Sequence, residues 1–129
     1  MSSGAPSPAH VEDAALLIRI NQLYDPDMSS QALYEATRGV WVLGARREHV
    51  RYALAVFQQV VLEVYAIEHW YPAGTTSYTT RVIDRSRYGS RWEFTGHLAE
   101  QAVRARYVGR SVASYFERGA ANPVMYVNC

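Results

Sequence analysis

The sequence contains no lysine. All thirteen basic side chains are arginines, set against twelve carboxylates, and the formal net charge is +1. Every positive contact must therefore come from a planar guanidinium, which forks onto phosphates and stacks on rings in ways an ammonium cannot. Cysteine is nearly absent too. The one thiol, Cys129, excludes an internal disulfide scaffold and fits a reducing cytoplasm. No apolar run reaches the length of a membrane span, and Met1–His10 lacks the basic and apolar regions of a signal peptide. Histidines occur at 10, 49, 69 and 97, without metal-ligand spacing and with no Cys-x-x-Cys, so no metal site is expected. There is neither a glycine-rich phosphate loop nor a G-x-S-x-G elbow, so no cofactor is expected.

Aromatic residues, by contrast, are plentiful: ten tyrosines and three tryptophans in 129 residues. Each pairs a flat apolar face with a polar edge, which suits binding surfaces as well as cores. The charge is uneven along the chain. Residues 1–79 hold five arginines against eight acids, and residues 80–129 hold eight against four. That asymmetry permits a basic face in the second half.

Residues 1–14, led by the Ser/Gly/Ala/Pro-rich stretch Met1–Pro8, are expected to form a flexible leader, and residues 15–129 a single domain. Leu16–Ile20 reads as a buried strand. Ser29 or Ser30 caps a short helix to Thr37, stopped by Gly39, and Val40–Leu43 is the next strand. Residues 44–48 are an exposed connection. Tyr52–Phe57 and Val60–Trp70 are two strong strands joined at Gln58-Gln59. On the second strand Val60, Leu62, Val64, Ala66 and Trp70 are expected on one face, with Val61, Glu63, Tyr65, Ile67 and His69 on the other. A rim loop Tyr71–Tyr78, a strand Thr79–Ile83 and a polar turn Asp84–Ser90 follow. Then come the alternating segment Arg91–Thr95 (Trp92 and Phe94 inward), helices Leu98–Arg106 and Ser111–Arg118, and a last strand Val124–Val127. The order implies an α+β fold: a small, mostly antiparallel, barrel-like sheet of five to six strands flanked by two or three short helices.

Two catalytic patterns fail. Tyr107-Val108-Gly109-Arg110-Ser111 looks like the second signature of GIY-YIG nucleases. However, the nearest stand-in for the first signature, Val64-Tyr65-Ala66-Ile67, lies over forty residues away instead of on the same hairpin. Glu63, Glu68 and Glu93 on neighbouring strands offer a carboxylate pair for acid–base work, but such groups on strand faces more often solvate or pair with arginine.

Leu33-Tyr34-Glu35-Ala36-Thr37-Arg38-Gly39-Val40-Trp41 is a helix running directly into a Trp-bearing strand, followed by the hairpin strand from Tyr52-Ala53-Leu54-Ala55-Val56 and a long strand ending in Trp70. This pattern resembles the PUA-like superfold, in particular its YTH, EVE and ASCH branches. The resemblance covers mainly residues 30–70. In the YTH branch the matching tryptophan walls a cage around a modified base, so the resemblance implies that role for Trp41. Leu17–Tyr24, Tyr34–Trp41 and Tyr107–Cys129 are also similar to a module in bacterial proteins carrying GIY-YIG or other nuclease domains. That similarity implies a nuclease partner or fused domain and a role in restriction or defence.

The expected function is therefore recognition of DNA or RNA, with a modified or flipped base in an aromatic pocket, no membrane contact, and no catalysis. Trp41, Trp70 and Tyr71, with Tyr78 in the rim loop, are the expected stacking residues. Arg38, Arg46 and Arg47 flank Trp41 as phosphate contacts, and Arg81, with Arg85, Arg87 and Arg91, extends that track. Two alternatives remain open. One is an ASCH-type ribonuclease or amidohydrolase on the same scaffold, using an arginine, a glutamate and a tyrosine or threonine. The other is an accessory domain whose aromatics pack on a protein partner.

Overall fold

The computed structural model describes residues 6–117, 119 and 121–129. Six strands, β1 (Ala15–Arg19), β2 (Gly39–Trp41), β3 (Tyr52–Phe57), β4 (Val60–Pro72), β5 (Trp92–Leu98) and β6 (Val124–Val127), form one curled sheet in the order β2-β5-β4-β3-β1-β6. The strand pairs are antiparallel except β1 with β3, which run parallel. Three helices accompany them: α1 (Ser30–Arg38), α2 (Arg85–Tyr88) and α3 (Gln101–Tyr107). The fold is α+β, a mixed half-barrel with β2 and β6 at its edges. No described helix is long and apolar enough to cross a membrane.

Both faces of the sheet are covered, which is why β1 is apolar at nearly every position. Ala15 and Leu17 enter one core with Leu54, Val56, Val64, Val103 and Tyr107, while Leu16 and Ile18 enter another with Trp41, Ala53, Tyr65 and Phe94. Helix α1 starts where Ser29 Oγ accepts the Ala32 N–H at 3.0 Å, a side-chain N-cap. The β3–β4 turn places Gln58 and Gln59 at φ 49° and 67°, backbone usually left to Gly or Asn. Asn21 Oδ1 holds the turn by accepting the Gln58 N–H at 3.0 Å.

Several expectations need correction. The faces of β4 do not alternate as read, because register shifts between Ala55/Val56 and Ile67/His69 each flip the phase. Val61, Val64 and Ala66 therefore share one core, and Leu62, Tyr65, Ile67 and Trp70 the other. Thr79–Ile83 is not a strand, since its first backbone N–H groups bind a buried carboxylate described below. The strand Arg91–Thr95 runs on to Leu98, which pairs with Tyr65, so the following helix starts only at Gln101. In place of the helix expected over Ser111–Arg118 there is a 3₁₀ turn at Ala113–Tyr115, because Ser111 bridges to Pro8 and Val60; Arg118 itself lies outside the described residues.

The expected leader is also tied down along much of its length. Ser7 O accepts from Ser111 N at 2.8 Å, and Ala9 and Val11 are buried. The Tyr107 hydroxyl accepts the Glu12 and Asp13 N–H groups at 3.1 and 3.2 Å and donates to the Asp13 carboxylate. Residues 1–5 of that segment lie outside the described residues.

Candidate functional site

A cleft of about 590 Å³ opens where the turn after β1, the start of β2, the segment around α2 and the approach to β6 meet. Its walls carry three arginines (Arg19, Arg81, Arg91) and two large rings (Trp41, Tyr88), and no carboxylate among the described residues. The volume falls within the range of about 300–1,000 Å³ usual for ligand sites. The Arg87 and Arg91 guanidinium groups each lie 5.3 Å from the Tyr88 ring centroid. Arg19 lies 4.4 Å over Phe116 and donates to Asn122 O. Arg81 donates from one nitrogen to Glu35 O at 2.9 Å and Gly39 O at 2.6 Å, and its burial pulls its pKa below the ordinary value. A cationic wall with ring faces and no acid attracts an anion that also carries a planar group.

Two buried glutamates shape the wall. Glu93, fully buried on β5, accepts from Gly74 N at 2.7 Å, Thr76 N at 2.8 Å, Thr76 Oγ1 and the Tyr78 hydroxyl at 3.0 Å. Glu35, fully buried on α1, accepts from Gln31 Nε2 at 2.7 Å, from both the N–H and hydroxyl of Thr79, and from both donors of Thr80 at 2.7 Å. Burial alone raises the Glu35 pKa, but these hydrogen bonds outweigh it and hold the carboxyl well below its ordinary range. Between the two carboxylates Arg38, 3% exposed, donates to Thr76 Oγ1, Phe94 O and Ser77 O and stacks 3.8 Å over Tyr78. The chain from Gly74 to Arg81 is thus clamped against the sheet. Gly39 marks how tightly: a β-carbon there would lie 2.5 Å from the Tyr78 oxygen and 2.9 Å from Glu93 Cβ.

The expected site residues divide. Trp41 and Arg81 line the cleft. Trp41 shows it little surface: most of the ring is in the core, and Nε1 donates to Thr37 O at 2.8 Å. Trp70 does not converge with it, but packs edge-on to Phe94 at 5.3 Å, and Tyr71 lies beside His69 at 6.2 Å, away from the cleft. Arg38 and Tyr78 belong to the clamp. Arg46 stacks 4.5 Å over Tyr126 and donates to Cys129 O, while Arg47 covers Trp92 at 3.3 Å, donates to Gly44 O at 2.9 Å and pairs with Glu48 at 3.3 Å. Neither lines the cleft.

Arg19, Asn21 and Tyr88 were not anticipated as site residues. Arg19 ends a strand otherwise wholly buried, which is the one local sign that its side chain leaves the core. Arg38, Glu93, Thr76 and Tyr78 do assemble the residue types of an ASCH-type centre, but the cluster is closed, with both Glu93 oxygens already engaged. Of the other carboxylates considered, Glu63 binds Arg104 through two nitrogens at 2.7 and 2.9 Å, and Glu68 faces His97 at 3.2 Å. No cluster of three or more His, Cys, Asp or Glu able to hold a metal occurs among the described residues. Compared with known proteins, the chain matches no family model, no curated protein and no solved structure.

Proposed function

We propose that this chain is a nucleic-acid-binding domain of PUA-like type that takes an extruded base, modified or unmodified, into the cleft beside Trp41. The observation that carries the reading is the lining: three arginines, a tryptophan and a tyrosine with no carboxylate among the described residues. A base stacked on the Tyr88 ring, beside Trp41, gains about 1–3 kcal/mol. Its flanking phosphates then meet Arg81 and Arg91, which fix register without reading sequence. Trp41 sits at the step from α1 into β2, the position the resemblance gives to a cage wall, and the curled α+β sheet is compatible with that superfold. A base-reading module of this kind fits work beside a nuclease in restriction or defence, with the cleft reading and the partner cutting.

The test is fluorescence anisotropy with labelled DNA and RNA, methylated and unmethylated, at two salt concentrations, for the wild type and for Arg91→Gln. Arg91 has no carboxylate within ion-pair distance among the described residues, so its replacement breaks no ion pair. Loss of one phosphate contact lowers the slope of log affinity against log salt by about one. Failure of every oligonucleotide to bind in a salt-dependent manner would overturn the proposal.

A further inference from the structure

We infer that a pocket at the start of α1 is a second binding site, which takes a small neutral cyclic amide, the group carried by a lactam or a pyrimidine ring. It lies at the other end of α1 from the cleft, and the inference does not depend on the nucleic-acid reading.

The first turn of α1 and the facing stretches of β4 and β5 enclose about 290 Å³, near the lower limit of about 300 Å³ for ligand sites. Tyr65 carries the argument. Its ring packs in the core and the residue is only 3% exposed, yet its hydroxyl bonds to no described residue. That hydroxyl is not sealed inside the core, and the side chain lines the pocket. Buried polar groups normally find a partner, so a phenol left unbonded at a pocket wall marks a place for one from outside. Burial, with the Glu63 charge nearby, pushes the Tyr65 pKa up, so at neutral pH the group is a donor.

Two more unspent groups line the same space. Tyr34, its ring centroid 5.3 Å from that of Tyr65, accepts the Gly96 N–H at 2.9 Å and keeps its own proton to give. Gln31 donates from Nε2 to Glu35 at 2.7 Å, which leaves the oxygen of the same amide as an acceptor. Charged ligands fit poorly. The Glu63 carboxylate in the lining repels an anion, and both its oxygens already bind Arg104, at 2.7 and 2.9 Å, so it has little to offer a cation. Leu33 and the half-exposed Leu98 supply apolar walls. Phenol donors suit a carbonyl, the Gln31 oxygen suits an N–H, and the leucines suit a short hydrocarbon. A ring holds the C=O and N–H of an amide on one edge, whereas an open-chain trans amide points them in opposite directions.

The experiment titrates the whole chain with δ-valerolactam and with uracil, following backbone amides by ¹H–¹⁵N NMR. Piperidinium and valerate serve as the cationic and anionic counterparts. At least one cyclic amide should shift the Gly96 and Leu98 signals saturably at millimolar concentration, and which of the two does so tells an aliphatic lactam from a pyrimidine. Tyr65→Phe keeps the ring in the core and breaks no hydrogen bond within the protein; it should weaken binding about tenfold. Leu98→Ala, at a half-exposed position, should weaken it severalfold while leaving the rest of the spectrum unchanged. The site is refuted if neither amide gives saturable shifts there, or if piperidinium or valerate binds as well as the amides. It is refuted equally if Tyr65→Phe binds as the wild type does, which would mean that the hydroxyl merely holds water.

Discussion

Glu35→Ala removes the acceptor shared by five donor groups: Gln31 Nε2, and the backbone N–H and hydroxyl of both Thr79 and Thr80. Thr79 and Thr80 are exposed residues, so their hydroxyls, and the Gln31 amide, turn to water at little cost. The two backbone N–H groups are fixed by the loop and bear most of the loss. Hydrogen bonds to a charged acceptor contribute about 1.5–3 kcal/mol each, so the two backbone bonds put the alanine variant about 3–6 kcal/mol below the wild type. Glu35→Gln keeps one oxygen for both N–H groups and should cost about 1 kcal/mol. Urea unfolding measures the totals, and hydrogen exchange at the Thr79 and Thr80 amides shows whether the loop opens before the sheet. The pH dependence carries a sign. Because the folded pKa lies below the ordinary 4.5, the stabilisation from Glu35 is complete above that pH and is lost as the pH falls below it. The gap between wild type and Glu35→Gln should therefore narrow in acid. An alanine variant within about 0.5 kcal/mol of the wild type, with unchanged exchange at Thr79 and Thr80, would refute the clamp.

Two further substitutions probe the frame around the cleft. Gly39→Ala drives a β-carbon into the Tyr78 oxygen and Glu93 Cβ, so thermal unfolding should show a loss of about 1–3 kcal/mol; a neutral result would mean that this wall is loosely packed. Tyr107→Phe removes the hydroxyl that bonds Glu12 N, Asp13 N and the Asp13 carboxylate, costing about 1–3 kcal/mol and speeding exchange at those two amides. Equal exchange in both proteins would show that the other contacts of the segment, among them Ser7 with Ser111 and Val11 with Tyr115, hold it without the Tyr107 hydroxyl.

Local signals in the sequence located most elements. The serine N-cap and apolar stripe placed α1, and β-branched and aromatic runs placed β3, β4 and β6. The parallel pairing of β1 with β3 left no local mark, because both strands are buried on both faces and any neighbour would satisfy them. The bulges in β4 were invisible for a related reason. An extra residue shifts the alternation without changing composition, so Trp70 was misread as sharing a face with Val64. At the site, Trp41 and Arg81 stood out by residue type. Glu35 did not, since a glutamate on a polar helix turn looks solvated until Thr79 and Thr80, more than forty residues on, are seen to bind it. Arg38 stands out by residue type as well, but its burial and its bonds to Thr76, Phe94 and Ser77 place it in the clamp.

The place of β1 also governs when this chain can become a protein. Ala15 pairs with Tyr52 on one side and Val127 on the other, so β1 is flanked by β6, a strand made much later in the chain. Until β6 emerges, one edge of β1 is an open ladder of backbone donors and acceptors, the kind of edge that invites pairing with another chain. Segments with so much long-range pairing also fold slowly. During synthesis the nascent domain must therefore be kept apart from its neighbours until β6 has emerged, and over-rapid expression should drive it into aggregates through β1.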